Sequence, residues 1–282
     1  MILPRETVPV AAVAAHYDEL DRFYREIWGE HVHHGLWRTG RERPEEAVVQ
    51  LVELVAQHAG IAPHARVCDV GAGYGATARH LARRYDAHVT ALTISIVQCA
   101  YARSLDPAAD NPVYLLRDWL ANGLPDESFD AVIMIESTEH MADKRRAFDE
   151  ARRVLRPGGR LVVCAWLARE EARPWEVRHL LEPICREGRL AGMGTQSEYA
   201  ELIAAAGLAR ESFEDLSAQV RRTWPICIGR ALRGLWRHPH YRAFLRDRSR
   251  PNRVFLWAMP RLWAAYLTGS MRYGLFAARR SQ

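Results

Sequence analysis

In the stretch PEEAVVQLVELVAQHAG, apolar residues at positions 48, 51, 52 and 55 fall on one helical face. The stretch opens on Pro44 and two glutamates and closes on Gly60, ordinary start and stop signals for a helix. Beyond it, short apolar runs alternate with helical patterns. The runs at 66–70, 87–92, 113–116, 129–135 and 160–166 predict strands, and 76–85 predicts a helix. A further helix is predicted from a Ser95 cap through Arg103, and another from an Asp143 cap along KRRAFDEARRVL to a stop at RPGG. Strands this continuously apolar, separated by helices, are parallel strands covered on both faces, which predicts a doubly wound α/β sheet. Late in the chain SEYAELIAAAG reads as a helix, and 209–216 and RYGLFAARR as two last strands, seven in all. If those two pair, residues 217–268 form an insertion near a sheet edge, a candidate lid. Residues 168–195 read as a second, irregular elaboration, and residues 1–43 as an N-terminal helical segment ahead of the 44–282 domain.

The strongest chemical signal is VCDVGAGYGATARHLA, where a strand, a glycine turn and a helix follow directly on one another. Glycines permit the tight turn and let backbone N–H groups approach a ligand at the helix N-terminus. Gly71, Gly73 and Ala76 satisfy the dinucleotide fingerprint, so a nicotinamide enzyme is a rival reading. Such an enzyme needs an acid at the end of the second strand to grip a ribose. Here that strand ends in Thr93, and the acid is Asp69, just before the first glycine.

Asp-x-Gly-x-Gly-x-Gly after a first strand resembles the first motif of the class I S-adenosylmethionine-dependent methyltransferases. VTALTISIVQ is similar to a segment of their cyclopropane-synthase, sterol and tocopherol branches, in which a threonine and a downstream glutamine replace the ribose-binding acid. RDWLANGLPDESFDAV and IESTEHMADKRRAFDEARRVLRPGGRLVV resemble the following blocks, up to the fifth strand. The resemblance implies a Rossmann-like, mostly parallel seven-stranded fold and S-adenosyl-L-methionine as cofactor. It implies that Asp69, Gly71 and Gly73 hold the cofactor, that Thr93, Ile94 and Gln98 line its ribose and adenine side, that Asp118 meets the adenine amino group and that Trp119 flanks the ring. The turn AGAGYGA departs mildly from the commoner GCGxGG but keeps the glycines.

Three histidines fall within four positions in GEHVHHGLW. With its flanks, HYDELDRFYREIWGEHVHHGLW resembles the N-terminal segment of γ-tocopherol-type methyltransferases, which covers the cofactor pocket and walls the acceptor site. This implies aromatic faces from Tyr17, Tyr24 and Trp37 and polar tips from His33 or His34. As a metal site the cluster fails on spacing: His31 and His33 alternate, His33 and His34 point apart if extended, and no nearby acid or cysteine pattern completes a set. No metal is therefore assigned. After the fourth strand, ESTEHM brings Glu136 near the expected methionine end of the cofactor. Glu139 matches by position an active-site glutamate of the cyclopropane synthases, and His140 follows. Tyr17, His33, Glu136, Glu139 and His140 are the candidate catalytic residues, a capping role being the alternative for Glu139 and His140. GMGTQSEYAELIAAAGL, EDLSAQVRRTWPICI and LTGSMRYGLFAARR carry the tocopherol-branch resemblance through the end of the chain.

Composition narrows the remaining choices. The 282 residues are 49% hydrophobic and 26% charged, enough for a packed core, and no apolar run approaches the ~18 residues of a membrane span. The N-terminus is a poor signal peptide, no transit peptide is evident, and five cysteines without CxxC pairing read as free thiols, so the expected location is cytoplasmic. The net charge of +5 rests on arginine, Lys144 being the single lysine. Arginines recur with aromatics between Arg221 and Arg261, either as lid helices or as a surface for an anionic partner or lipid headgroup. The expected activity is methylation of a small lipophilic acceptor, an isoprenoid, prenylated or aromatic metabolite, on carbon, with nitrogen and oxygen as the alternative acceptor atoms. A prenyl diphosphate acceptor held with Mg²⁺, an RNA methyltransferase and a cofactor-binding cyclase are the alternatives. No RNA-binding module or NPPY-like motif is present, so no nucleic-acid partner is expected. Peripheral membrane contact and a homo-oligomer both remain open.

Overall fold

The computed structural model describes residues 1–4, 6–105, 107–108 and 110–282. The sheet is built from β1 (Arg66–Val70), β2 (His88–Thr93), β3 (Val113–Leu116), β4 (Phe129–Ile135), β5 (Leu155–Ala168), β6 (Leu208–Asp215) and β7 (Met271–Arg280). Its order is β3-β2-β1-β4-β5-β7-β6. The first five strands run parallel, and β7 enters antiparallel between β5 and β6. The order in which the chain adds strands reverses between the parallel neighbours β1 and β4, and their carboxyl ends open the crevice where such sheets bind ligands.

Alternate residues of the central strands face opposite layers. Val67, Ile133 and Val162 join one core, while Cys68, Val132 and Val163 join the other. That two-sided burial is why the strands read as unbroken apolar runs. On the thicker side lie α1 (Val10–Ile27), α2 (Pro44–Ala59), α3 (Ala76–Tyr85) and α4 (Ile96–Leu105); on the other lies α5 (Lys144–Val154). The caps expected at Ser95 and Asp143 accept from the backbone N–H of Gln98 and Arg146.

Two boundaries differ from expectation. The stretch RPGG does not simply end α5: strand pairing resumes at Leu155 opposite Phe129, and the register then shifts before Ala131 meets Arg160. The elaboration at 168–195 is largely helical, with α6 (Pro174–Glu176), a π-helical stretch Val177–Leu181 and α7 (Glu182–Glu187). α8 (Gln196–Ala205) then packs on the second face through Tyr199 and Ile203. Between β6 and β7, as expected, lies a helical insertion: α9 (Ser217–Val220), α10 (Thr223–Arg237), α11 (Pro239–Arg246) and α12 (Phe255–Thr268). Its arginines tie it to the body: Arg230 donates to the Ile27 carbonyl and Arg261 pairs with Glu187. The N-terminal segment is helical only through Ile27; residues 28–43, which include the histidines, form neither helix nor strand. No helix among the described residues is long and apolar enough to cross a membrane, and all five cysteines are free and buried.

Candidate active site

Asp69 stands in β1, one residue before the strand's end, and the chain turns sharply there. Gly71 and Ala72 donate to the Leu92 carbonyl, clasping the turn to β2. Gly71 takes φ +83°, and a Cβ there would lie 2.4 Å from the Cβ of Ser137. Only glycine meets both demands. α3 begins at once with Gly75 in the left-handed region at its N-cap.

Above this turn is a cavity of about 810 Å³ lined by Gly71, Gly73, Thr93, Ile94, Gln98, Asp118 and Trp119, together with Tyr17, Glu136 and His140. Seven of the eight residues expected to hold the cofactor thus share one wall. Thr93 Oγ1 donates to Gln98 Oε1 at 3.1 Å. Asp118 Oδ1 accepts from the Leu120 N–H, and Trp119 Nε1 donates to the Ala147 carbonyl, which pins the indole at the cavity edge. Asp69 is the exception, buried beneath the turn rather than lining the cavity. Burial pushes its carboxyl up to about 7, and its Oδ2 has no partner among the described residues. The Ser137 hydroxyl, which does line the cavity, is likewise unpartnered. Orphaned polar atoms beside a glycine turn whose N–H groups open a helix suit a ligand carrying an ammonium group and hydroxyls, as S-adenosylmethionine does.

A second cavity of about 520 Å³ adjoins the first and shares Tyr17, Val32, Glu136 and His140 with it. Its other walls are mostly rings: Tyr24 and Trp28 from the end of α1, Trp166 from β5, Trp224 from α10 and Phe255 from α12. Tyr17 stacks on Tyr24 with centroids 5.3 Å apart, and Trp166 meets Trp224 edge-on at 5.7 Å. His34 and Glu139 supply its polar groups besides the shared residues.

Glu136 stands between the cavities in a left-handed conformation, φ +53°, rare for a side chain with a Cβ. Its Oε1 accepts from the His34 N–H at 2.7 Å, His34 Nδ1 at 3.0 Å and the Tyr273 hydroxyl at 2.8 Å; its Oε2 accepts from Trp166 Nε1 at 2.8 Å. Burial raises its pKa, but the His34 imidazole and these hydrogen bonds outweigh that and bring it down to about 2. Glu136 is therefore an ionised carboxylate. Glu139 is the opposite case: burial raises it, although its carboxylate accepts from the Trp166 N–H. His140 Nδ1 donates to the Arg189 carbonyl, so its Nε2 accepts from the Tyr17 hydroxyl at 2.8 Å. Burial lowers His140 to about 4, which keeps it neutral.

The structure brings Tyr17, Glu136, Glu139 and His140 together and leaves His33 out. His33 lines neither cavity; its Nδ1 donates to the His34 carbonyl and its Nε2 meets His31 Nδ1. In the irregular backbone of this segment His34, not His33, turns inward. Trp37 is also structural, its Nε1 on the Glu42 carbonyl. Trp28, Trp166, Trp224, Phe255 and Tyr273 are the site residues that sequence reading missed. For Trp28, Trp224 and Phe255 the signal was an aromatic bias in the elaborations, which carries no information on which rings point inward; Trp166 and Tyr273 stand on strands β5 and β7, where no such signal marks them.

Comparison with known proteins shows the family. A methyltransferase-domain family matches residues 68–163. The chain is 30% identical to the chloroplastic tocopherol O-methyltransferase of Arabidopsis thaliana over 95% of its length and 81% of that protein. It is 28% identical to the 2-methyl-6-phytyl-1,4-hydroquinone methyltransferase of Synechocystis, over 95% of this chain and 87% of that one. The crystal structure of the [4+2]-cyclase SpnF superposes with a TM-score of 0.80 at 27% identity, covering 98% of this chain and 99% of that one. The chain belongs to the class I S-adenosylmethionine-dependent methyltransferases, in the branch that includes the tocopherol methyltransferases.

Proposed function

We propose that this enzyme methylates a carbon atom of a small lipophilic acceptor, an isoprenoid, prenylated or aromatic metabolite seated in the ring-lined cavity. The observation that carries this reading is the shared wall: Tyr17, Val32, Glu136 and His140 border both cavities, so an acceptor in one faces a cofactor in the other. Asp69, Gly71, Gly73, Thr93, Ile94, Gln98, Asp118 and Trp119 are the residues that would hold S-adenosylmethionine. Bound there, it supplies an electrophilic methyl group on a sulfonium.

The chain's own part is to align the acceptor, exclude water and steady the charge that develops. A neutral carbon nucleophile becomes cationic when it gains a methyl group, unless it gives up a proton first. Ring faces of Tyr17, Tyr24, Trp166 and Trp224, with the ionised Glu136 nearby, are placed to stabilise positive charge in this ring-walled cavity. Relatives named for tocopherol and for a phytyl hydroquinone support an acceptor that joins an aromatic ring to an isoprenoid chain. Outward on the lid, Trp236, Trp257, Leu232 and Leu267 are exposed, which suits uptake of such a molecule from a lipid surface.

The test supplies methyl-labelled S-adenosylmethionine and the purified enzyme to a host extract, separates lipids, polar metabolites and RNA, and locates the label by mass spectrometry. Label in a lipophilic product that keeps all its hydroxyl groups supports the reading. A product that has lost a free hydroxyl places the methyl on oxygen and overturns the carbon assignment; label in RNA overturns the acceptor class. A second reading is favoured by the similarity to SpnF: a cofactor-binding fold that promotes cyclisation. Product formation without consumption of the cofactor would distinguish it.

A further inference from the structure

Four histidines, 16, 33, 34 and 140, lie in or beside this site, and their ring nitrogens can be accounted for one by one. His16 donates from Nδ1 to Asn252 Oδ1 and accepts at Nε2 from the Tyr24 hydroxyl. His33 is occupied at both nitrogens by the His34 carbonyl and His31. His140 is occupied by the Arg189 carbonyl and the Tyr17 hydroxyl. His34 differs. Its Nδ1 faces the Glu136 carboxylate at 3.0 Å and must carry the proton there, which leaves Nε2 with a bare lone pair. That Nε2 is buried without a partner among the described residues, and so is Nε1 of Trp224. Both side chains line the ring-walled cavity, and their rings meet edge-on with centroids 5.2 Å apart.

A buried acceptor and a buried donor left open on two neighbouring rings match one ligand group, a hydroxyl, which gives its proton to the first and takes a hydrogen bond from the second. Resting on the proposed function above, we infer that His34 is the catalytic base that removes the acceptor's hydroxyl proton, with Glu136 positioning it and Trp224 marking where the oxygen sits. The arrangement is that of a base oriented by a third group. The O–H bond breaks with its electron pair left on oxygen, and an N–H bond forms at Nε2. Positive charge then lies on an imidazolium paired with an anionic Glu136. The oxygen's electrons pass through the ring to the carbon that gains the methyl group, and the electrons of the broken sulfur–methyl bond remain on sulfur. Loss of that carbon's own proton to water restores the aromatic ring, while His34 returns its proton to oxygen. One proton is released overall.

Titratable groups around His34 come from four directions: Glu136 beyond β4, Tyr273 on β7, Tyr266 on α12 and His33 beside it in the chain. Burial holds both tyrosines well above their usual range and His33 below its own. None of these three is a proton acceptor near neutral pH, and Nε2 of His34 is the imidazole nitrogen of the cavity left without a partner among the described residues.

The test needs no turnover. The protein, saturated with S-adenosylhomocysteine, is titrated with 2-decyl-4-nitrophenol and with its methyl ether, and the nitrophenolate absorption band is followed. The phenol is expected to bind about tenfold or more tighter than the ether and to ionise on binding at a pH where it is neutral in solution. His34→Asn is expected to abolish both effects while keeping affinity for S-adenosylhomocysteine, and Glu136→Gln to suppress the band. Trp224→Phe, which keeps the ring and removes the donor, is expected to reduce the phenol's advantage. This variant and the wild-type comparison decide the matter if His34→Asn does not fold. Equal binding of phenol and ether overturns the assignment of His34 while leaving a lipophilic acceptor site in place. Failure of both probes to bind overturns the proposed function as well.

Discussion

Asp69 shows how one side chain would tie the proposed cofactor site to stability. Its folded pKa of about 7 lies above the ~3.9 of an unfolded aspartate, so between those values the folded chain holds a proton that the unfolded chain has released. Stability from this group therefore falls as pH rises from about 4 to 7. Asp69→Asn is expected to raise the melting temperature of the cofactor-free protein at pH 8, by at least about 2 °C, and not at pH 4. It is also expected to weaken S-adenosylhomocysteine binding. Thermal scans at the two pH values check this; the same offset at both would mean that Asp69 is paired in the folded protein. Single residues were legible to unequal depth. The turn glycines declare themselves because their backbone conformation excludes other residues. His33 and His34 are chemically identical neighbours, and only the path of the backbone separates the wall from its support.

Among the elements, the β1–α3 turn carries the sharpest expectation. Gly71→Ala must place a Cβ against Ser137 and hold a strained φ, so it is expected to lower the melting temperature and cost at least about tenfold in S-adenosylhomocysteine affinity. Gly73→Ala meets open space at φ +55° and is expected to do less harm to the fold. Calorimetric titration of both variants checks the order; equal losses would show that strain, not the clash, decides. Strands β1, β3 and β4 have the bounds that their apolar runs predict, and β2 is displaced by one residue. The junction of α5 and β5 was less legible, because RPGG reads as a helix stop while pairing across the sheet, a non-local contact, draws its start into the strand.

Taken together, the elaborations close over one edge of the sheet. α1 is pinned there by Tyr17 to His140, by Asp18 to Ser95 and by Asp21 to Tyr74, and the lid by its arginines. Inward, α10 and α12 offer Trp224 and Phe255; outward, Trp236 is 79% and Trp257 66% exposed. A surface of tryptophans among arginines is suited to anionic lipid headgroups. The wild type is expected to sediment with vesicles containing phosphatidylglycerol, and the double variant Trp236→Ala, Trp257→Ala to remain largely in the supernatant. Wild-type protein that stays in the supernatant with every vesicle composition would sink the lipid-surface reading.

The chain read alone was sufficient for the sheet, the glycine turn and the residues that gather along the first cavity, since periodicity, caps and positive-φ positions are local properties written in consecutive residues. The acceptor side was not, because its contacts join residues far apart in the chain: His34 and Glu136 are 102 positions apart, Tyr17 and His140 123, and Glu136 and Tyr273 137. No local pattern encodes which histidine nitrogen is left open or which tryptophans turn inward. Those were settled when the N-terminal segment and the lid packed against the sheet edge, where every buried polar atom had to find a partner or be left to a ligand.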